Sequence, residues 1–252
     1  MNRVILSNLE GSESKVRLEL LVVLPVFNEE ACVRKVIREW YDELQNWTDN
    51  FVILAISDGS TDGTAAILRD LQDTLGRRVE VVHRANRGHG QTCLEGYREA
   101  ARRRAHFVLQ LDSDGQCDPQ YFFRFWRDRG RYDVVYGSRY RRDDGMRRYM
   151  ASGVLRLVLL LFFRANCVDA NVPYRLMNVA SCEDSFISVP ANMFLANVGL
   201  AVLLRRTKGI RHGVVPIRFR ERYGGEPKVP FTKFAAKAFE VVQQIRLMLQ
   251  GK

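Results

Sequence analysis

The chain has 252 residues, 46% of them hydrophobic, and 39 Lys and Arg against 29 Asp and Glu give a net charge of +10. That length and apolar content supply a buried core and exclude a disordered chain, while the positive excess favours an anionic partner such as a phosphorylated metabolite, nucleic acid or acidic lipid. The longest unbroken apolar run, residues 157–163, falls short of the roughly 20 residues that cross a bilayer, and the polar segment 1–17 does not read as a signal peptide, so a cytoplasmic protein is expected.

Along the chain, residues 18–26, 51–56, 79–82, 107–111 and 133–136 are short runs rich in Val, Ile, Leu and Phe with little alternation, the pattern of strands covered on both faces. Between them lie segments with helical spacing: residues 29–44, with Val33, Ile37, Trp40 and Leu44 on one face, then Thr64–Leu75 and residues 91–103. Strand and helix alternate, which predicts an α/β fold, a doubly wound and mostly parallel sheet with helices on both faces. Residues 153–163 and 234–249 read as further helices, the second amphipathic with Val241, Val242, Ile245 and Leu249 on its apolar face. We therefore expect a polar segment 1–17, one domain over 18–228 and a C-terminal amphipathic helix within 229–252. The five cysteines are odd in number, and none is spaced as a metal or CxxC pair, so they are expected to be reduced thiols.

In such sheets ligands bind beyond the carboxyl ends of the strands. Three polar clusters fall on that edge: residues 25–30 after the first strand, 57–64 after the second, and Asp112-Ser113-Asp114-Gly115-Gln116 after the fourth. Carboxylates one residue apart, followed by a Gln, can converge their oxygens on one hard divalent cation, and Gly115 lets the backbone turn beneath it. A cation there would hold a diphosphate. Arg139, Arg141, Arg142, Arg147 and Arg148 precede the apolar helix 153–163. That combination suits either a core helix with a solvated end or a surface resting on anionic lipid. The Gly-rich segment 87–91 reads as a turn before a helix, and His83 and His89 lack metal-ligand spacing.

The ordered motifs resemble those of inverting family 2 glycosyltransferases with the GT-A fold, in the branch of the dolichol-phosphate mannose synthases and bacterial polyprenyl-phosphate sugar transferases. Residues 25–30, 57–64, 112–116, 137–140, 169–177 and 222–228 carry the likeness. The resemblance implies that Pro25, Phe27 and Glu29 border a nucleoside, that Asp58 meets its base or ribose, and that Asp112 and Ser113 lie near the ribose and diphosphate. It implies a metal, Mg2+ or Mn2+, on Asp112, Asp114 and Gln116, with Asp114 in the chemistry. Arg139, Arg148 and Ser152 would take the acceptor phosphate, and Arg222 (or Arg220) with Lys228 would close over the diphosphate. The implied reaction moves a sugar from a UDP- or GDP-sugar to a polyprenyl phosphate. A saccharide hydroxyl acceptor is the alternative, with Asp169 as base, although Asp169 also reads as a structural acid paired with Arg175. A catalytically inactive nucleotide-binding partner of a membrane enzyme is the third reading, prompted by Ser57 and Pro227, which depart from the family pattern. Nucleic acid is not an expected partner, because the acid-rich edge repels phosphate unless metal intervenes. Membrane contact would be peripheral or made through a partner.

Overall fold

In the computed structural model, residues 17–141, 146–224 and 238–250 are described, with the backbone alone at residues 140–141, 146–152 and 238–239. The strands are β1 (Leu20–Val26), β2 (Phe51–Asp58), β3 (Val79–Arg84), β4 (Phe107–Gln110), β5 (Val134–Arg141), β6 (Arg175–Asn178) and β7 (His212–Arg218). The helices are α1 (Val33–Gln45), α2 (Thr64–Leu75), α3 (His89–Arg102), α4 (Phe122–Asp128), α5 (Met146–Phe163), α6 (Val179–Ser188), α7 (Ala196–Arg206) and α8 (Ala238–Gln250).

All seven strands form one sheet in the order β3-β2-β1-β4-β6-β5-β7. β1 to β4 run parallel, as do β5 and β7, and only β6 runs against its two neighbours. The order explains which face each helix covers. Right-handed crossovers carry the chain from β1 through β2 to β3 with α1 and α2 on one face, then back to β4 with α3 on the other. α1 accordingly packs on α2, whereas α3 packs on α6 and α7.

Burial follows from this sandwich. Every residue of β1 is buried, because its central position puts a helix layer over both faces. The predicted face of α1 is buried together with Val36, and Trp40 meets the edges of the Phe122 and Tyr174 rings. At Gly96 of α3 a Cβ would come within 2.2 Å of Val23 Cγ1, so the absence of a side chain sets how closely that helix lies on β1.

Two strands were not expected. β6 has only four residues, too few to show a period. β7 alternates between buried and exposed and carries Pro216, as suits an edge strand bonded on one side only. α1 starts at Val33 rather than residue 29, since Asn28 takes a positive φ of 51° and Glu29 is turned into the strand edge. On α8, Val241 and Ile245 are buried as predicted, while Phe234 lies outside the described residues. All five cysteines are free and buried.

Candidate active site

The parallel strands and β7 release their following loops at one edge of the sheet. Past β4, Leu111 N–H still donates to Val23 O at 3.1 Å, and Ser113 Oγ donates to Pro25 O at 2.9 Å. Those bonds fasten the acidic loop to the end of β1. Gly115 then takes φ 83°, a left-handed turn open to glycine at little cost, and Gln116 N–H donates to Asp114 Oδ1 at 3.0 Å. Asp112 lies beside this turn, its Oδ1 accepting from Gln110 Nε2 at 3.2 Å.

A strap after β7 closes on the acidic loop. Arg220 N–H donates to Gln116 O and Tyr223 N–H to Asp114 O, each at 3.1 Å. Gln116 Nε2 donates in turn to Arg220 O at 3.4 Å. The Tyr223 hydroxyl donates to Glu39 of α1 at 2.8 Å, and Arg220 Nη2 reaches the same carboxylate at 2.9 Å. The strap also sets Arg222 between two buried acids. Its Nη1 donates to Asp114 Oδ2 at 2.8 Å and its Nη2 to Glu29 Oε1 at 2.8 Å.

These contacts divide the charge. Burial, and next the Asp112 carboxylate, push Asp114 up to about 6, against the lowering pull of the Gln116 amide and Arg222. Burial and a 3.0 Å hydrogen bond to Glu29 push the Cys32 thiol up to about 12, so Cys32 remains a proton donor to Glu29 rather than a nucleophile. A cationic group is thus held where the Asp114 and Glu29 carboxylates converge. Among the described residues no three His, Cys, Asp or Glu side chains gather into a metal cage. Two carboxylates completed by phosphate oxygens are nonetheless the usual way Mg2+ is held, and the Asp112–Asp114–Gln116 donor set fits it.

Other predicted residues take more specific places. Phe27 is half-buried just past β1. Asp58 is buried and accepts from the backbone N–H of Arg87 and of Gly88 at 2.8 Å each, while Arg84 lies 2.6 Å from its Oδ1. Asp58 therefore braces the loop leading into α3. Arg139 donates twice to Asp169, at 2.6 and 2.7 Å, and lies over the Phe219 ring at 5.1 Å. Asp169 is thus paired with Arg139, not with Arg175. Arg175 is fully buried and donates instead to the carbonyls of Ala170, Val172 and Asn197, shaping the turn that carries Asp169. β4 and β5 are separated by β6, so Arg139 stands two strands along the edge from the acidic loop. Arg148 and Ser152 fall on α5 where the backbone alone is described, and Lys228 lies outside the described residues.

Sequence reasoning missed His89. It opens α3 with Nε2 3.7 Å from Asp112 Oδ1, placed there by the β3–α3 connection, which local spacing does not reveal. The buried relay is also new: Asn197 Nδ2 donates to Gln110 Oε1 at 3.2 Å and the Tyr97 hydroxyl to Asn197 Oδ1 at 2.7 Å. Through Gln110, this relay supports Asp112 from beneath.

The mostly parallel seven-strand sheet, flanked by helices and with its polar loops gathered on one edge, has the GT-A architecture of nucleotide-sugar enzymes. Residues 21–186 match glycosyl transferase family 2, and the chain belongs to that family. It is 27% identical over 233 residues to undecaprenyl-phosphate 4-deoxy-4-formamido-L-arabinose transferase of Edwardsiella ictaluri (strain 93-146), a match covering 88% of this chain and 66% of that protein's length. Among solved structures, glucosyl-3-phosphoglycerate synthase from Mycobacterium tuberculosis with Mn2+, UDP and glucosyl-3-phosphoglycerate is similar at TM-score 0.64. Its identity is 15%, and the match covers 93% of this chain and 81% of that one. Mannosyl-3-phosphoglycerate synthase from Rubrobacter xylanophilus is similar at TM-score 0.62 and 18% identity, over 93% of this chain and 74% of the other. At these identities the structural likeness concerns the fold.

Proposed function

We propose that the chain is an inverting glycosyltransferase that moves a sugar from a UDP- or GDP-sugar to a polyprenyl phosphate, with Mg2+ or Mn2+ at Asp112, Asp114 and Gln116. The observation that carries this reading is the Arg222 guanidinium seated between Glu29 and Asp114, 2.8 Å from each: the edge of the sheet is built to hold a positive charge against converging carboxylates. The undecaprenyl phosphate in the name of the Edwardsiella relative supports the acceptor class.

A divalent cation held by Asp112, Asp114 and Gln116 would offset the charge of the departing nucleoside diphosphate and so make it a better leaving group. Pro25 and Phe27 border the nucleoside, Asp58 holds the loop beside it, and Ser113 fixes the acidic loop. Arg222 and Lys228 are the cations that follow the diphosphate as it leaves. Arg139, with Arg148 and Ser152, receives the acceptor phosphate. That phosphate is already an anion at neutral pH. Its oxygen forms the new bond at the anomeric carbon from the face opposite the breaking bond to the diphosphate, so the configuration inverts and no proton has to be removed. Positioning and charge do the work.

A hydroxyl acceptor would need a base, and Asp169 is the side chain for it. The bidentate grip of Arg139 on both its oxygens favours the phosphate reading. The test is transfer of labelled sugar from UDP- and GDP-sugars to undecaprenyl phosphate in detergent with Mn2+. R139A should raise KM for the lipid phosphate about tenfold with little change for the donor, and D169N should cost less than about tenfold in kcat. A D169N variant with activity only at background would move Asp169 to the role of base. Wild-type protein that binds nucleotide and transfers nothing would favour the inactive-partner reading.

A further inference from the structure

α5 turns an apolar face outward. Leu159 and Phe163 are buried on its inner side, whereas Val154, Leu161 and Phe162 are 62%, 68% and 70% exposed, and Leu157 and Leu160 are exposed as well. At 100° per residue, Leu160, Leu157, Leu161, Val154 and Phe162 sweep an arc of roughly 200° opposite the buried residues. Of the large hydrophobic side chains exposed among the described residues, half lie between residues 154 and 168. A patch so concentrated marks a contact surface.

The charge pattern names the occupant. From residue 146 to residue 168 the sequence holds Arg147, Arg148, Arg156 and Arg164 and not one Asp or Glu. Arg156 and Arg164 are exposed, and Arg156 donates to Asn166 Oδ1 at 3.0 Å. A second copy of this chain packing α5 against α5 would bring arginine-bearing helices together with no acid within α5 to answer them. Anionic lipid supplies the missing charge, and acyl chains accept the Leu and Phe side chains while arginine stems reach up to the headgroups. The helix has 18 residues, and no helix among the described residues is long and apolar enough to cross a membrane. α5 is suited to lie along a surface rather than to span it.

We propose that α5 is the membrane-docking surface of this protein, seated in the headgroup layer of an anionic bilayer through Val154, Leu157, Leu161 and Phe162. The placement deepens the functional reading above and rests on it for its purpose. α5 follows β5, the strand that carries Arg139 at the working edge of the sheet, so a lipid phosphate could reach Arg139 while its chain stays in the bilayer beside α5.

The test uses the purified full chain and vesicles of phosphatidylcholine with or without phosphatidylglycerol, read by co-sedimentation. Wild type should bind the phosphatidylglycerol vesicles about tenfold more than the neutral ones, and lose binding at high salt. L157S/L161S removes two exposed leucines, so it should melt as wild type does yet bind the same vesicles at least about tenfold more weakly. Transfer to a short, water-soluble isoprenyl phosphate should be unchanged in that variant. A wild type that stays in the supernatant, or a double variant that sediments equally, overturns the proposal. So does a wild-type dimer that L157S/L161S turns into monomer without altering vesicle binding. Loss of soluble-substrate transfer in the wild type would instead count against the reaction assigned above, leaving docking to be judged by sedimentation.

Discussion

Arg222 answers two carboxylates at once, Asp114 Oδ2 and Glu29 Oε1, and both are buried. Removing one partner of such a group leaves charge without an answer, which costs far more than the pair contributes in place. Under the proposed function the guanidinium would compete with a metal ion for Asp114 and would be drawn to the phosphates of a nucleoside diphosphate. R222Q should therefore melt several degrees below wild type and regain part of that loss on adding Mn2+. Calorimetry should show Mn2+ alone binding about tenfold more tightly to R222Q, and UDP or GDP with Mn2+ about tenfold more weakly, as expected for hydrogen bonds to charged groups. A variant weakened toward both ligands alike would mean that Arg222 only props up the loop.

The strap and the acidic loop form the next level of organisation. They touch where glycine is required: at Gly115, with φ 83°, a Cβ would stand 2.5 Å from Tyr223 Cδ2. G115A combines backbone strain with a collision against the ring, together worth about 2 kcal/mol or more. It should lower the binding of a nucleoside diphosphate with Mn2+ by at least about tenfold while the protein remains folded. Thermal melting alongside the binding titration checks both. Elements of this kind set the limit of what the sequence discloses. β1, β2 and β4 were legible because unbroken apolar runs name central strands, whereas β3 is an edge strand with only Val79 buried, not the doubly covered strand expected. The acidic loop was legible because its carboxylates stand two apart at a strand end. The partner of Asp169 was not. Asp169 precedes Arg175 by a few residues, but Arg175 is drawn inward to three carbonyls and Arg139 arrives from a different strand. His89 and the Tyr97–Asn197–Gln110 relay were hidden for the same reason, since they depend on which elements become neighbours. The missed β7 is an edge strand interrupted by Gly213 and Pro216, and the missed β6 is four residues, Arg175–Asn178, opened and closed by polar side chains, so neither shows an apolar run or a clear period.

At the scale of the whole molecule, a chain of net charge +10 gathers Glu29, Asp112 and Asp114 at one edge of its sheet. The order β3-β2-β1-β4 brings them together, because β1 and β4 are adjacent and parallel and release their loops side by side. Clustered and buried carboxylates are unfavourable unless a cation answers them, and burial together with Asp112 pushes Asp114 up to about 6 even with Arg222 beside it. Because its folded-state value is raised, Asp114 is most costly as a carboxylate above pH 6 and is relieved as the pH falls below it. A metal ion needs the carboxylate form, so its affinity should fall by up to about tenfold per pH unit below pH 6. The most direct measurement is isothermal titration of UDP and of GDP into the protein at neutral pH, with and without Mn2+, repeated with D114N. We predict saturable binding of at least one nucleotide that strengthens with Mn2+ and loses that strengthening in D114N. No binding of either nucleotide, or Mn2+-dependent binding that survives D114N unchanged, would contradict the assignment of the acidic loop.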